Sequence, residues 1–400
     1  MGRTPEIRFK GFTDDWEQRK LIDYLEVSSK KNKSEIYDKE DVLSVSGDFG
    51  IVNQIEFQGR SFAGVSVANY GIVERGDVVY TKSPLKANPY GIIKVNKGKT
   101  GIVSTLYAVY KPRENVDSKF VQVYFEQDVR MNNYMQPLVN KGAKNDMKVT
   151  DENALKGWVF FPQKEEQSVI ARYFDALDHL ITLHQRKCDE TKKMKKYMLQ
   201  KMFPQNGESR PEIRFEGFTD DWEQRKLGDI FKEYSEKHHE ELPALTIIQG
   251  GGTIPREESD RNLQYDKSNL SGYKMVKKDD FIVHLRSFEG GLEKANSDGI
   301  ISPAYHTLHG ESVDSRFYYP YFRSYEFISK KLVAHVYGIR DGRSIDIEGM
   351  KTIEIPYTSY EEQKKIGDYL DTLDNLITLH QRKLEKLQTI KKFMLGKMFV

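Results

Sequence analysis

Two long stretches of the chain repeat apolar residues at the spacing of a helix seam. Steps of four and three residues from Ile366 reach Leu370, Leu373, Ile377, His380, Leu384, Leu387, Lys391, Met394 and Met398. The same steps from Ile170 reach Phe174, Leu177, Ile181, His184, Cys188, Thr191, Lys195, Met198 and Met202. Residues at these spacings share one face of an α-helix, and their repetition is the heptad pattern of a coiled coil. The pattern predicts two long helices, at residues 166–203 and 362–400.

The two seams favour pairing of these helices within one chain. Each helix would be about 50 Å long and would not be stable alone. The sequence between them makes an antiparallel pair the easier connection, so we expect two modules at opposite ends of a rod. His184 and His380 hold matching seam positions. A buried polar residue there fixes the register of a coiled coil, and metal binding or proton transfer is the alternative.

Short β-branched and aromatic runs elsewhere predict strands. They lie at residues 77–81, 101–109, 159–161, 280–285, 299–302 and 352–355, and turn residues bound them. Helices are predicted among them at 118–133 and 315–332. Each half is therefore expected to hold a mixed α and β module of about 140 residues. The predicted fold class is α+β, with two such modules separated by the paired helices and related by a pseudo-twofold axis.

The chain is an internal duplication. Residues 5–21 return at 211–227 with only Lys10 changed to Glu216, and residues 177–187 return at 373–383 with only His179 changed to Asn375. Between these repeats, the inserts at 22–165 and 228–361 share almost nothing. We predict a first module at 1–165, a first helix at 166–203, a linker at 204–210, a second module at 211–361 and a second helix at 362–400. One scaffold would then present two different surfaces.

Composition narrows the class of protein without identifying it. The chain has 400 residues, 30% of them charged, and a formal net charge of +2, so any nucleic-acid surface must be local. Its one cysteine, Cys188, leaves no disulfide and no cysteine zinc site. No apolar stretch predicts a signal peptide or a membrane span, so we expect a soluble, cytoplasmic protein with no membrane association.

No catalytic or cofactor motif emerges from the sequence. Asn88, Pro89 and Tyr90 lack the second proline of an adenine methyltransferase loop. The glycines at 250–252 lack the Lys-Ser/Thr of a phosphate cradle, and the histidines lack the spacing of metal ligands. We expect no catalytic residue, no metal and no cofactor in this chain.

Polar and basic residues in the inserts are candidates for DNA contact. Such side chains position phosphates and read base edges, although an exposed surface role is the simpler interpretation of each one. In the first insert they are Tyr80, Lys82, Lys86, Asn88, Tyr90, Lys94, Lys97, Lys99, Lys141, Lys144, Asn145 and Lys148, and in the second they are His284, Arg286, Ser287, Lys294, Arg340, Arg343 and Ser344.

A run of lysines near the end of the first long helix has two interpretations. Lys192, Lys193, Lys195 and Lys196 lie mostly off the seam. A solvated helix face explains them, and contact with phosphates or with an acidic partner is the alternative.

Three features recur in both halves: the WEQRKL segment, the LDxLITLHQRK helix and the Glu-Glu-Gln at 165–167 and 361–363. With them, the sequence resembles the DNA specificity subunit of type I restriction-modification systems. GIVSTLY at 101–107 and GIISPAY at 299–305 add to this resemblance, which covers the whole chain. Ser104, Thr105 and Leu106 stand where the second half has Ser302, Pro303 and Ala304. Because the first insert lacks this proline, we expect its neighbouring loop to be placed differently.

The resemblance implies two target recognition domains, each reading one half of a split sequence in double-stranded DNA, with the paired helices as ruler and docking surface. Two modification subunits that bind S-adenosylmethionine would methylate adenine in each half-site. Restriction subunits, with motor and nuclease activities, would use ATP and magnesium to cleave unmethylated DNA. A DNA-binding structural or regulatory protein without such partners is one alternative, and an enzyme with degenerate motifs is another.

Overall fold

A computed structural model describes residues 4–85, 87–141, 147–205, 208–259, 267–284, 292–338 and 344–400. The chain divides into two compact units. Unit 1 consists of Met1–His184 and Arg382–Val400, and unit 2 consists of Gln185–Gln381. Each unit therefore contains one insert together with a part of each long helix.

In its described residues, unit 1 contains twelve short strands and the first helices. The strands are β1 (Glu17–Lys20), β2 (Leu25–Val27), β3 (Leu43–Ser46), β4 (Gly50–Asn53), β5 (Gly71–Val73), β6 (Val78–Thr81), β7 (Ile93–Val95), β8 (Gly101–Val103), β9 (Tyr107–Pro112), β10 (Asn140–Lys141), β11 (Met147–Lys148) and β12 (Trp158–Phe161). The helices are α1 (Gln54–Gln58), α2 (Ser118–Tyr124), α3 (Asp128–Met135) and the first part of α4 (Lys164–Lys201).

Unit 2 repeats this order. Its strands are β13 (Glu223–Lys226), β14 (Phe231–Tyr234), β15 (Leu245–Ile248), β16 (Gly252–Pro255), β17 (Lys274–Val276), β18 (Phe281–Val283), β19 (Glu293–Lys294), β20 (Gly299–Ile301), β21 (His306–Gly310), β22 (Val336–Tyr337), β23 (Ser344–Ile345) and β24 (Glu354–Tyr357). Its helices are α5 (Leu227–Ile230), α6 (Ser315–Phe322), α7 (Ile347–Lys351) and the first part of α8 (Tyr360–Lys397), and a π-helical turn spans Glu326–Lys331.

The two inserts have one topology despite their unrelated sequences. Unit 1 has a four-stranded sheet of order β2-β9-β6-β7, and unit 2 has one of order β14-β21-β18-β19. The antiparallel pairs β3-β4, β5-β8 and β10-β11 likewise correspond to β15-β16, β17-β20 and β22-β23. Different apolar residues of similar size fill the two cores, because a core needs matching volume and pattern more than a particular sequence.

The repeated segments close each insert. Strand β1 pairs antiparallel with β12, and β13 pairs in the same way with β24, so each pair brings together the two ends of one insert. Trp16 and Leu21 are fully buried in unit 1, and their counterparts Trp222 and Leu227 are buried in unit 2. Both tryptophans are therefore packing residues of the scaffold.

The second glutamate of each Glu-Glu-Gln motif is a buried anchor. Glu166 is 1% exposed and accepts two hydrogen bonds from the Arg8 guanidinium, both 2.7 Å long. Glu362 is equally buried and accepts the same pair from Arg214, at 2.7 and 2.8 Å. The hydrogen bond to Glu166 raises the pKa of Arg8. Bidentate geometry makes such pairs strong and directional, so each repeated segment is held against the start of a long helix.

The glutamine of the same motif holds the insert. Gln167 accepts a hydrogen bond from the backbone N–H of Asp117 at 2.9 Å, and Asp117 caps α2. Gln363 accepts the equivalent bond from Asp314 at 3.1 Å, and Asp314 caps α6. An amide bonded to a helix cap fixes where the next helix of the insert begins.

A steric constraint explains the glycine that begins the short motif shared by the inserts, GIVSTLY in the first and GIISPAY in the second. A Cβ atom on Gly101 would lie 2.6 Å from the carbonyl oxygen of Asp41, and one on Gly299 would lie 2.7 Å from that of Pro243. Both positions therefore require glycine, since another chain segment passes too close for any side chain.

The loop after this glycine is not displaced by the missing proline. The Ser104 Oγ accepts a hydrogen bond from the backbone of Leu106, and the Ser302 Oγ accepts one from Ala304, both at 3.4 Å. The expectation of a different loop is therefore wrong. The serine turn, which proline at the second position allows but does not require, sets the local backbone.

Several predicted elements are shorter than the sequence pattern indicated. The strand at 101–109 is two strands, β8 and β9, because the Ser104 turn interrupts it. The helix at 118–133 is α2 followed by α3, and the helix at 315–332 ends at Phe322 before the π-helical turn. The strand predicted at 352–355 begins at Glu354, after α7. Tertiary packing decides these boundaries, which local propensity leaves open.

The long helices run antiparallel within each unit. In unit 1, the Phe174 ring of α4 lies 6.0 Å from the Phe399 ring, and Asp178 binds Lys391 of α8 at 2.6 Å. In unit 2, Lys195 of α4 binds Asp374 of α8 at 2.6 Å. All residues of both stepped series, from Ile170 to Met202 and from Ile366 to Met398, are buried or half-buried.

We predict that Gly101→Ala lowers the free energy of unfolding by about 2 kcal/mol, because the added methyl group overpacks a site with no free space. Thermal and urea denaturation of the full chain measures this loss. Gly47→Ala is the matched control, since a Cβ atom there has no heavy atom within 4 Å. Equal stability of the two variants would contradict the steric argument.

We also predict that Arg8→Ala costs about 3 kcal/mol of unfolding free energy, because it leaves the Glu166 carboxylate buried without its partner. Arg214→Ala should cost less. Glu362 keeps hydrogen bonds from the Trp222 indole, at 3.0 Å, and from the Thr358 hydroxyl. Urea denaturation measures the unfolding free energy of both variants. A larger loss for Arg214→Ala than for Arg8→Ala would contradict the prediction.

Candidate nucleic-acid interface

Most of the residues predicted for DNA contact in the first insert belong to two connections. The first joins β6 to β7 and contains Lys82, Asn88 and Tyr90. The second joins β10, which ends at Lys141, to β11, which begins at Met147 and contains Lys148. Lys86, Lys144 and Asn145 lie outside the described residues. Short loops between paired strands can change sequence without altering a core, and binding residues are often found there.

An ion pair joins the connection between β6 and β7 to the segment that follows β11 in unit 1. The Lys82 ammonium lies 2.7 Å from a carboxylate oxygen of Asp151, which follows β11. The Tyr110 hydroxyl donates to the Asp151 carbonyl at 3.1 Å. Sequence reasoning missed Asp151, because an aspartate after a short strand carries no recognisable motif.

The connection between β6 and β7 is held on helix α3. The Asn88 amide donates to Asp128 at 2.8 Å, and the Asn132 amide donates to the Ala87 carbonyl at 3.1 Å. Gly91 has a φ of +84°, and a Cβ atom there would lie 1.9 Å from the Thr81 carbonyl oxygen. These contacts give the loop one backbone path, which is a condition for reading a base edge by hydrogen bonds. Asp128 and Asn132 were also missed from the sequence.

Three of the candidate residues are buried. Tyr80 is 1% exposed, and its hydroxyl donates to the Tyr90 carbonyl at 2.7 Å. Lys94 is 7% exposed on β7, where burial lowers its pKa although Glu126 opposes this change. Asn88 is 8% exposed. These residues support the loop from within, and their assignment to the DNA surface is corrected for that reason.

Lys97 and Lys99 lie apart from the other candidates. They follow β7 at the end opposite to Lys82, because Tyr80 pairs with Ile93 and Val78 pairs with Val95. Lys97 binds Asp175 of α4 at 2.6 Å, whereas Lys99 is exposed. Lys97 and Lys99 therefore form a group separate from Lys82.

The candidates of the second insert fall in the equivalent connections of unit 2. Arg286 and Ser287 lie in sequence between β18 and β19, and Arg340 and Arg343 lie between β22 and β23. These four residues are outside the described residues. Ser344 begins β23, opposite Tyr337.

His284 and Lys294 flank the first of these connections. The His284 ring, directly after β18, lies 4.7 Å from the Tyr305 ring. Lys294 ends β19 and binds Asp279 at 3.0 Å. Asp279 precedes β18, so Lys294 lies at the end of the sheet away from His284.

In the ranges that the structure describes, no group of three or more His, Cys, Asp or Glu residues could hold a metal ion. No helix in those ranges is long and apolar enough to cross a membrane.

Comparison with known proteins finds similarity to one family. Residues 219–389 match the model of the type I restriction modification DNA specificity domain. A protein of Methanocaldococcus jannaschii, assigned as the specificity subunit of the type I restriction enzyme MjaX, is 23% identical over 95% of this chain and 91% of its own length. The specificity subunit of MjaVIII from the same organism is 26% identical over 58% of each chain. The chain is therefore similar to type I restriction-modification specificity subunits, and the family match lies in its second half.

A solved structure shows the fold. The type I restriction-modification S subunit from M. genitalium matches with a TM-score of 0.61 and 13% identity, over 99% of both chains. The predicted fold class, two α and β modules with two long repeated helices, is confirmed. The resemblance inferred from the repeated segments is confirmed as well. Specificity subunits of this kind are generally not catalytic themselves.

We predict that Lys82→Ala weakens binding of target DNA by this specificity subunit about three- to tenfold and lowers the slope of log K against log salt by about one. It removes a charge from the connection between β6 and β7, beside Asp151. Fluorescence anisotropy with duplex DNA over a salt series is the measurement. Lys99→Ala removes the same charge at the other end of β7 and should change binding less. A larger effect at Lys99 would place the DNA at that end.

Proposed function

We propose that this subunit reads a bipartite DNA sequence, one half-site with each insert, and so directs adenine methylation and restriction by partner subunits. One observation carries the proposal. Two inserts of unrelated sequence have the same strand order, and in each insert several of the residues predicted for DNA contact fall, in sequence, in the same two connections. A common scaffold with different loops is suited to reading two different half-sites.

The chemistry of these loops supports sequence reading. Arginine and lysine form bidentate contacts with guanine, asparagine does so with adenine, and serine contacts either kind of base pair. The first insert offers Lys82 and Lys148, and the second offers Arg286, Arg340 and Arg343. Because the two sets differ in residue type and order, we expect the two half-sites to differ in sequence.

The chain would select the DNA sequence, and partner subunits would catalyse the reactions. Two modification subunits that bind S-adenosylmethionine would methylate adenine, and restriction subunits using ATP and magnesium would cleave DNA. The repeated segments support a symmetric pair of partners. The exposed strands β1 and β13 carry the same residues, Glu-Gln-Arg-Lys, in both units, so the same partner surface is available twice.

We predict that replacing residues 22–165 with the corresponding insert of another specificity subunit changes one half-site only. The donor insert must keep an aspartate at position 117, because Gln167 accepts a hydrogen bond from its backbone and Ser168 donates to its side chain at 2.9 Å. Genome-wide mapping of methylated adenines in a strain that carries the chimera and its partners gives the recognised sequence.

The reciprocal exchange of residues 228–361 is the matched control and should change the other half-site. Loss of both half-sites in a folded chimera would argue against independent readers. Co-purification tests the partners separately: a stable complex with adenine methyltransferase subunits supports the proposal, and a DNA-binding chain that forms no such complex contradicts it.

A further inference from the structure

An exposed leucine lies beside the candidate lysine of the first insert. Leu106 directly precedes β9 and is 62% exposed. Thr81 of β6 is opposite Tyr107 of β9, and the backbone N–H of Lys82 donates to the Leu106 carbonyl at 3.1 Å. The pairing of the two strands therefore continues by one residue, and Lys82 and Leu106 are cross-strand neighbours. The Cβ atoms of such neighbours are about 5 Å apart on one face of a sheet.

The serine turn before β9 fixes the backbone of this leucine. The Leu106 N–H donates to the Ser104 Oγ at 3.4 Å, and the Tyr107 N–H donates to the Ser104 carbonyl at 3.1 Å. Tyr107 packs against a core cluster that includes Val79 and Val109. Because successive side chains of a strand point to opposite faces, Leu106 does not join that cluster. The turn therefore holds an apolar side chain in solvent at a fixed place.

The charged neighbour of Leu106 is also held in place. The Lys82 ammonium lies 2.7 Å from an Asp151 carboxylate oxygen, and the two side chains are 24% and 28% exposed. An ammonium group has three N–H donors, so this ion pair leaves donors for a further acceptor. A side chain that donates hydrogen bonds and one that cannot are thus presented to solvent side by side.

This combination suits the major-groove edge of DNA better than the DNA backbone. Phosphates bind charged and polar groups, and a leucine gains nothing from them. In the major groove, guanine O6 and N7 accept hydrogen bonds from lysine, and the C5-methyl group of thymine packs against apolar side chains. Successive base pairs are about 3.4 Å apart, so two side chains that begin about 5 Å apart can reach neighbouring pairs.

We propose that Leu106 contacts the C5-methyl group of a thymine in the half-site that the first insert reads, beside the base pair that Lys82 contacts. Leu106 is then a specificity-determining residue, because the other three bases lack this methyl group. The second insert has Ala304 at the aligned position. Its side chain is a single methyl group, so the contact belongs to one half-site. The proposal rests on the proposed reading of a bipartite target.

Binding of the full chain to target DNA tests this contact. The target comes from the map of methylated adenines, and exchange of residues 22–165 identifies the first half-site. The probe is a fluorescein-labelled duplex in which deoxyuridine replaces one thymine at a time, which removes the methyl group and keeps the base pair. At one thymine of the first half-site, the affinity of the wild type should fall about fourfold, the effect of one buried methyl group. Leu106→Ala should bind the thymine and deoxyuridine duplexes equally.

Two further measurements separate a base contact from a contact with the DNA backbone. Leu106→Ala removes no charge, so the slope of log K against log salt should stay unchanged, in contrast to Lys82→Ala. Its affinity for duplex DNA without a target site should also stay unchanged. Leu180→Ala is the matched control, because Leu180 is a leucine of α4 that is 40% exposed. This control should keep the wild-type response to deoxyuridine, and circular dichroism melting confirms that each variant is folded.

Three outcomes would overturn the proposal: a first half-site without an A·T pair, equal binding of every deoxyuridine duplex by the wild type, or a deoxyuridine effect of undiminished size in Leu106→Ala. In each of them the chain still prefers its target to other DNA. Equal affinity of the wild type for target and non-target duplexes would contradict the proposed function, and the Leu106 contact with it.

Discussion

A buried carboxylate at the start of each long helix is the contact on which both units depend. Glu166 and Glu362 are each 1% exposed and are bound on both oxygens by an arginine of the repeated segment. The next residue in each case is a fully buried glutamine that binds the cap of an insert helix. Charged groups are costly to bury unless they are fully paired, so these bonds hold segment, insert and helix in one arrangement.

This arrangement lets the inserts diverge. Strand pairs β1-β12 and β13-β24 bring the ends of each insert together, so changes between them leave the closure intact. Even buried charged residues differ in sign between corresponding positions of the two units. Lys94 of β7 lies near Glu126, while at the corresponding positions of unit 2 Glu293 binds Arg323. The scaffold needs a complementary pair at this place, whichever sign each partner carries.

The proposed function uses the same division between a constant scaffold and variable loops. Loops that join fixed strands can change their polar side chains with little loss of stability, and the residues predicted to read DNA lie in such loops. The exposed strands β1 and β13 carry the same residues in both units.

The sequence alone determined the duplication, the two long helices and their seam residues, because a heptad pattern sustained over many turns is typical of a long paired helix. It also marked the glutamates, glutamines and glycines shared by the halves, without showing what they contact. Tertiary structure decided the rest. Pairing of strands that are distant in sequence decided three features. The unrelated inserts have one topology, Tyr80 and Lys94 are buried, and Lys82 binds Asp151 whereas Lys97 binds Asp175. Local pattern does not encode such pairing, since short strands are stabilised by the neighbours they pack against.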